Sequence, residues 1–139
     1  MFDALKLPAR VVLAAFIGYA GVGHFRDTES FLAQVPPFLP APEWIVWISG
    51  VVEISFAILL LVAGKRVPQV GIALAAFFVI IFPGNISQAL TQTSAFGLET
   101  DSARYIRLLF QPVLVAWALW CTNGWRERKA VISALRSRA

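Results

Sequence analysis

The chain has 139 residues, 58% of them hydrophobic and 14% charged, with one cysteine and a net charge of +4; its mean hydropathy is +0.71. Soluble domains carry roughly 45–50% apolar and about 25% charged residues, so the excess points to a small membrane protein. A lone Cys121 excludes an internal disulfide and any multi-cysteine metal or redox motif, and the basic residues lie between apolar runs, which favours membrane topology over nucleic acid binding.

Four apolar runs follow in order, at about 8–25, 42–63, 68–90 and 102–122. A bilayer crossing takes about 20 apolar residues, range about 17–25. The last three runs meet this; the first, "PARVVLAAFIGYAGVGHF", is short and glycine-rich. It ends in "GHFRD" and not in a small-x-small cleavage site, which argues against a signal peptide. Its Ala14 and Gly18 have the spacing that lets helices approach closely. The expected architecture is all-α: an integral membrane four-helix bundle over residues 1–122, followed by a basic tail over 123–139.

Between runs one and two lies "RDTESFLAQVPPFLPAPEW", with four prolines and several large apolar side chains. Proline forbids a continuous helix there. The reading is a short helix near Thr28–Gln34, then an extended turn lying on the bundle as an extracytoplasmic cap. Nine of the twelve basic residues, among them Lys6, Arg10, Lys65, Arg66 and Arg126, fall on one side. Arg26, Arg104 and Arg107 fall on the other, mixed with Asp27, Glu29, Glu43, Glu99 and Asp101. The positive-inside rule then puts both termini in the cytoplasm. Asn123-Gly124 reads as a helix stop, and the tail after it as a topogenic segment or a short surface helix that meets anionic lipid.

Glu53 is the residue that calls for explanation. It lies eleven residues into run two, about 16 Å deep at 1.5 Å per residue, near the middle of a hydrocarbon core about 30 Å thick. A charge there costs at least about 2.5–3.5 kcal/mol and normally faces the bundle interior with a partner. Ser49, Gly50 and Ala57 share its face and let another helix come close. His24 ends run one, Asn85 and Gln88 lie in the outer third of run three, and Arg104, Arg107 and Gln111 form one stripe on run four. Arg107 is the expected partner of Glu53, with His24 second. Pro83 and Pro112 free the carbonyls of Val79 and Leu108, which then need donors. The candidate ligand-binding set is His24, Glu53, Asn85, Gln88, Arg107 and Gln111. The alternative is a polar network that only fixes helix register. One histidine without companion ligands does not suggest a metal site. "GYAGVG" lacks the strand–helix context of a nucleotide loop, and no catalytic motif stands out.

"GVGHF", "VPPFLPAPEWIVWISGVVEI", "FPGNI" and "RLLFQPVL" occur in that order between about Gly18 and Trp120. Together they resemble the DoxX family of small bacterial membrane proteins. The pattern falls on His24, Phe25, Pro36, Pro40, Gly50, Glu53, Pro83, Asn85, Arg107 and Gln111. The resemblance implies a four-helix protein of the bacterial cytoplasmic membrane with both termini inside. It also implies links to quinone chemistry, through membrane redox systems, quinone detoxification and oxidative-stress complexes. The chain has no haem, flavin or iron–sulfur ligands of its own, so a redox role needs a bound quinone or a partner subunit. The leading expectation is an outward-facing polar pocket that binds a quinone or similar small amphipathic molecule, in a chain surrounded by membrane lipid and able to form a homo-oligomer. The rival expectation is an assembly or chaperone-like subunit whose polar network recognises a partner's transmembrane helix. A transporter is a weaker third, for want of a paired broken-helix repeat.

Overall fold

A computed structural model of the chain describes residues 2–93 and 100–139; Glu99, counted above among the outer acidic residues, lies outside them. Among the described residues six α-helices follow in order: α1 (Phe2–Arg26), α2 (Thr28–Leu32), α3 (Pro42–Val62), α4 (Val67–Leu90), α5 (Asp101–Cys121) and α6 (Gly124–Arg136), with a 3-10 turn at Gly64–Arg66. No strand occurs among the described residues.

The helix boundaries follow local chemistry. Pro42 and Pro68 each stand in the first turn of their helix, where a missing N–H costs no intrahelical bond. Thr100 starts α5, its side-chain oxygen accepting from Ala103 N at 3.2 Å. Asn123 takes a left-handed conformation (φ 62°) just after α5, as the sequence suggests, and the chain turns there by 78° into α6.

Among the described residues, three helices are long and apolar enough to cross a membrane by length and composition: α1, α3, and α4 with its preceding turn. The pair α5–α6 passes that test only when taken together. This reverses the order of strength expected from the sequence. The first run is not short, because α1 continues through Pro8 back to Phe2. Pro8 is tolerated there because the carbonyl it strands, that of Ala4, sits on an exposed residue near the helix end. Run four is weaker because Arg104, Arg107 and Gln111 interrupt its apolar character. The short helix after Asp27 ends at Leu32, two residues earlier than expected.

Polar side chains share the interior, while many large apolar ones face out. His24, Glu53, Asn85, Gln88, Arg104 and Gln111 are buried, while Ile80, Ile106 and Leu109 are 73%, 66% and 72% exposed. A face of this kind needs a hydrocarbon surrounding, which fits a multi-pass membrane protein. The apolar core gathers Leu13, Ile17, Leu60, Leu74, Phe78 and Leu114 from α1, α3, α4 and α5.

Two helix pairings dominate the packing. α1 packs chiefly on α3, and α4 on α5. Contact at the first pair is backbone-close. A Cβ added to Gly50 would lie 2.8 Å from His24 Cβ and 3.0 Å from the Gly21 carbonyl oxygen, and one added to Gly21 would lie 3.0 Å from the Gly50 carbonyl oxygen. Small residues permit this approach, and it sets His24 beside Glu53.

Candidate functional site

A cavity of about 350 Å³ lies among α1, α3, α4 and α5. Its polar wall is made by His24, Glu53, Asn85, Arg107 and Gln111. Its apolar wall includes Phe16, Phe77 and Ile80, of which Phe16 and Ile80 also reach the outer surface. The segment after α1 adds Phe31, Gln34 and Pro36 to the lining.

The α1–α3 crossing places His24 Nδ1 3.6 Å from Glu53 Oε2, with both side chains 8% exposed. The same Nδ1 lies 2.9 Å from the Ala20 carbonyl. A carbonyl only accepts, so Nδ1 carries the hydrogen. At 3.6 Å the carboxylate oxygen is beyond hydrogen-bond range, and Glu53 Oε2 is buried with no hydrogen-bond partner. The His24 ring stacks on Phe31, centroids 3.8 Å apart, which holds the imidazole plane.

On the opposite wall, Gln111 donates to the Phe78 carbonyl at 2.9 Å and accepts from Asn85 Nδ2 at 3.2 Å. The Phe78 carbonyl is one residue before the Val79 carbonyl expected to need a donor. Phe78 is buried while Val79 is 59% exposed, so the inward carbonyl is the one within reach of α5. Each amide keeps a second N–H beyond these bonds. Arg107 lines the cavity half-buried and makes no hydrogen bond or ion pair among the described residues.

The expected Glu53–Arg107 ion pair is therefore absent among the described residues, and His24 is the nearer ionisable group. The reason is geometric: the Gly21–Gly50 contact draws α1 onto α3, whereas Arg107 rides on α5 across the cavity. Gln88 is buried but does not line the cavity. It accepts from Gln34 Nε2 at 3.3 Å and donates to the Thr93 carbonyl at 3.3 Å, tying two loops to α4. Arg104 is likewise diverted, to Asp101 at 2.8 Å and the Thr93 carbonyl at 3.4 Å. Phe31, Gln34 and Ser49 line the cavity without having been singled out as ligand contacts from the sequence. The apolar content of the segment 28–39 was the available signal for the first.

No group of three or more His, Cys, Asp or Glu suited to a metal ion occurs among the described residues. What the cavity offers is one unmet acceptor, Glu53, facing donors on Arg107, Asn85 and Gln111 across an aromatic and aliphatic space.

Residues 13–122 match the model of a family described as a domain of unknown function, DUF8561. No curated protein matches the chain, and no solved structure matches it.

Proposed function

The chain belongs to the DUF8561 family, whose description names no activity, and from the site itself we propose that it binds a quinone or a similar small amphipathic molecule in the central cavity. One observation carries this reading: a buried carboxylate oxygen without a hydrogen bond, on the wall of a cavity of about 350 Å³. Small-molecule sites span about 300–1,000 Å³ and combine apolar walls with a few convergent polar groups.

A quinol hydroxyl would donate to Glu53, and the ring's far oxygen would accept from Arg107 or from the spare N–H of Asn85 or Gln111. The aromatic ring would lie against Phe16 and Phe77. An apolar tail would leave past Phe16 and Ile80, which reach the lipid-facing surface. The segment holding Phe31, Gln34 and Pro36 would act as the cap over a four-helix membrane bundle. In this reading both termini are cytoplasmic and the cap faces outward in a bacterial cytoplasmic membrane. The resemblance to the DoxX family supports the ligand class and a place beside a membrane redox system.

Native mass spectrometry of the detergent-purified protein tests this, on the native chain and on Glu53→Gln and Arg107→Ala. A quinone-sized adduct lost in both variants, with folding kept, is the expected result. Absence of any small-molecule adduct in the native chain, with a stoichiometric partner chain bound instead, would transfer the site to the assembly-subunit reading.

A further inference from the structure

A second cavity, of about 630 Å³, lies at the opposite end of the bundle, where the start of α1, the Gly64–Arg66 turn and the start of α6 converge. Lys6, Arg10, Lys65 and Arg126 line it, against the carboxylates of Asp3 and Glu127. Asp3 is already taken by Lys6 at 2.6 Å. Four cations against two carboxylates leave positive charge in excess. Arg10 Nε is buried there with no hydrogen-bond partner, a donor that an anion would satisfy.

This cavity is continuous in its lining with an apolar groove of about 560 Å³ on α4 and α5. Lys6, Asn123 and Arg126 border both. From there the groove runs past Leu119 and Val115 up to Gln111. Ten helical steps separate Gln111 from Cys121, the last residue of α5, about 15 Å at 1.5 Å per residue. One leaflet of a hydrocarbon core about 30 Å thick is about 15 Å deep, so the groove has the length of one lipid chain. After the 78° turn, the first residues of α6 border the groove. There Trp125 borders the groove and Arg128 stands 3.9 Å over its ring, a pairing suited to the headgroup layer.

We infer that this end of the bundle holds an anionic phospholipid, its phosphate in the cavity of Lys6, Arg10, Lys65 and Arg126 and one acyl chain in the groove along α5. The inference rests on the chain lying in a bilayer; the groove shares only Phe78 and Gln111 with the central cavity. Charge complementarity alone would suit any anion. The groove that opens on the charges selects a lipid.

The test is native mass spectrometry of the full chain in mild detergent, titrated with dioleoyl phosphatidylglycerol, dioleoyl phosphatidylcholine or sodium phosphate. Phosphatidylglycerol is expected to be retained in preference to phosphatidylcholine. Each cation near anionic lipid is worth about fivefold in retention, so Arg10→Gln with Arg126→Gln should weaken it about thirtyfold. Lys129→Gln with Arg138→Gln removes equal charge outside the cavity and should change it less than about twofold. Ala116→Trp fills the groove from an exposed position and should weaken retention with an unchanged melting curve, so the inference stays testable even where the arginine pair fails to fold. Equal retention of the two lipids, or an equal loss from the two double variants, would overturn the inference. So would displacement of the lipid by millimolar phosphate with Ala116→Trp silent, which would make this a free-anion site.

Discussion

Replacing Gly50 with alanine tests the contact that creates the central site. The new Cβ would stand 2.8 Å from His24 Cβ, 2.8 Å from Phe25 Cε2 and 3.0 Å from the Gly21 carbonyl oxygen. Carbon atoms rest at about 3.5–4.0 Å. Neither His24 Cβ nor a main-chain oxygen can rotate away, so α1 must move off α3 by roughly 1 Å. Overpacking of this kind costs about 1–3 kcal/mol, against about 0.5–1 kcal/mol returned by alanine's helix preference. The net loss is about 1–2 kcal/mol, a fall of about 5 °C in melting midpoint for a chain of this size. Gly18→Ala is the control: its Cβ meets only Ala57 Cβ, at 3.3 Å, and the midpoint should move by less than about 2 °C. Thermal unfolding in one detergent, followed by circular dichroism, reads both. A Gly50→Ala protein as stable as Gly18→Ala would refute the close crossing and with it the placement of His24 beside Glu53.

Gln111→Leu leaves the Asn85 amide and the Phe78 carbonyl without their partner; at about 1–3 kcal/mol for each buried group left unmet, the same melting assay should show one of the larger single-residue losses in the bundle. An unchanged midpoint would mean that water replaces the amide. Phe31→Ala removes the ring stacked on His24; with aromatic pairs worth about 0.5–1.5 kcal/mol, a bound ligand should dissociate up to about tenfold faster. Unchanged residence of a labelled quinone would show that α2 does not hold the site closed.

Much of the site was legible in the sequence because burying charge is costly. Glu53, Asn85, Arg107 and Gln111 had to face inward wherever the helices lay, and the structure puts them on one cavity. The partners were harder to read. Whether Glu53 meets His24 or Arg107 depends on an interhelical distance that Gly21 and Gly50 set together, and no spacing within either helix encodes it. Arg104 and Gln88 are polar and buried as well, yet nearer acceptors hold them: Asp101 and the Thr93 carbonyl for the first, Thr93 again for the second. The helix stop at Asn123 was legible from local turn chemistry, whereas the sharp bend after it is set by tertiary packing of α6 on α4.

The division of the bundle into an α1–α3 pair and an α4–α5 pair has a consequence for how the cavity comes into being. The carboxylate and the imidazole belong to the first pair, the guanidinium and the two amides to the second. The cavity is therefore a seam. It does not exist in either hairpin alone and forms only when the later pair docks on the earlier one. Any occupant that bridges Glu53 and Arg107 also bridges the seam. Its binding free energy therefore adds to the cohesion of the two halves, so an emptied site would be felt first as a loosening of one hairpin against the other.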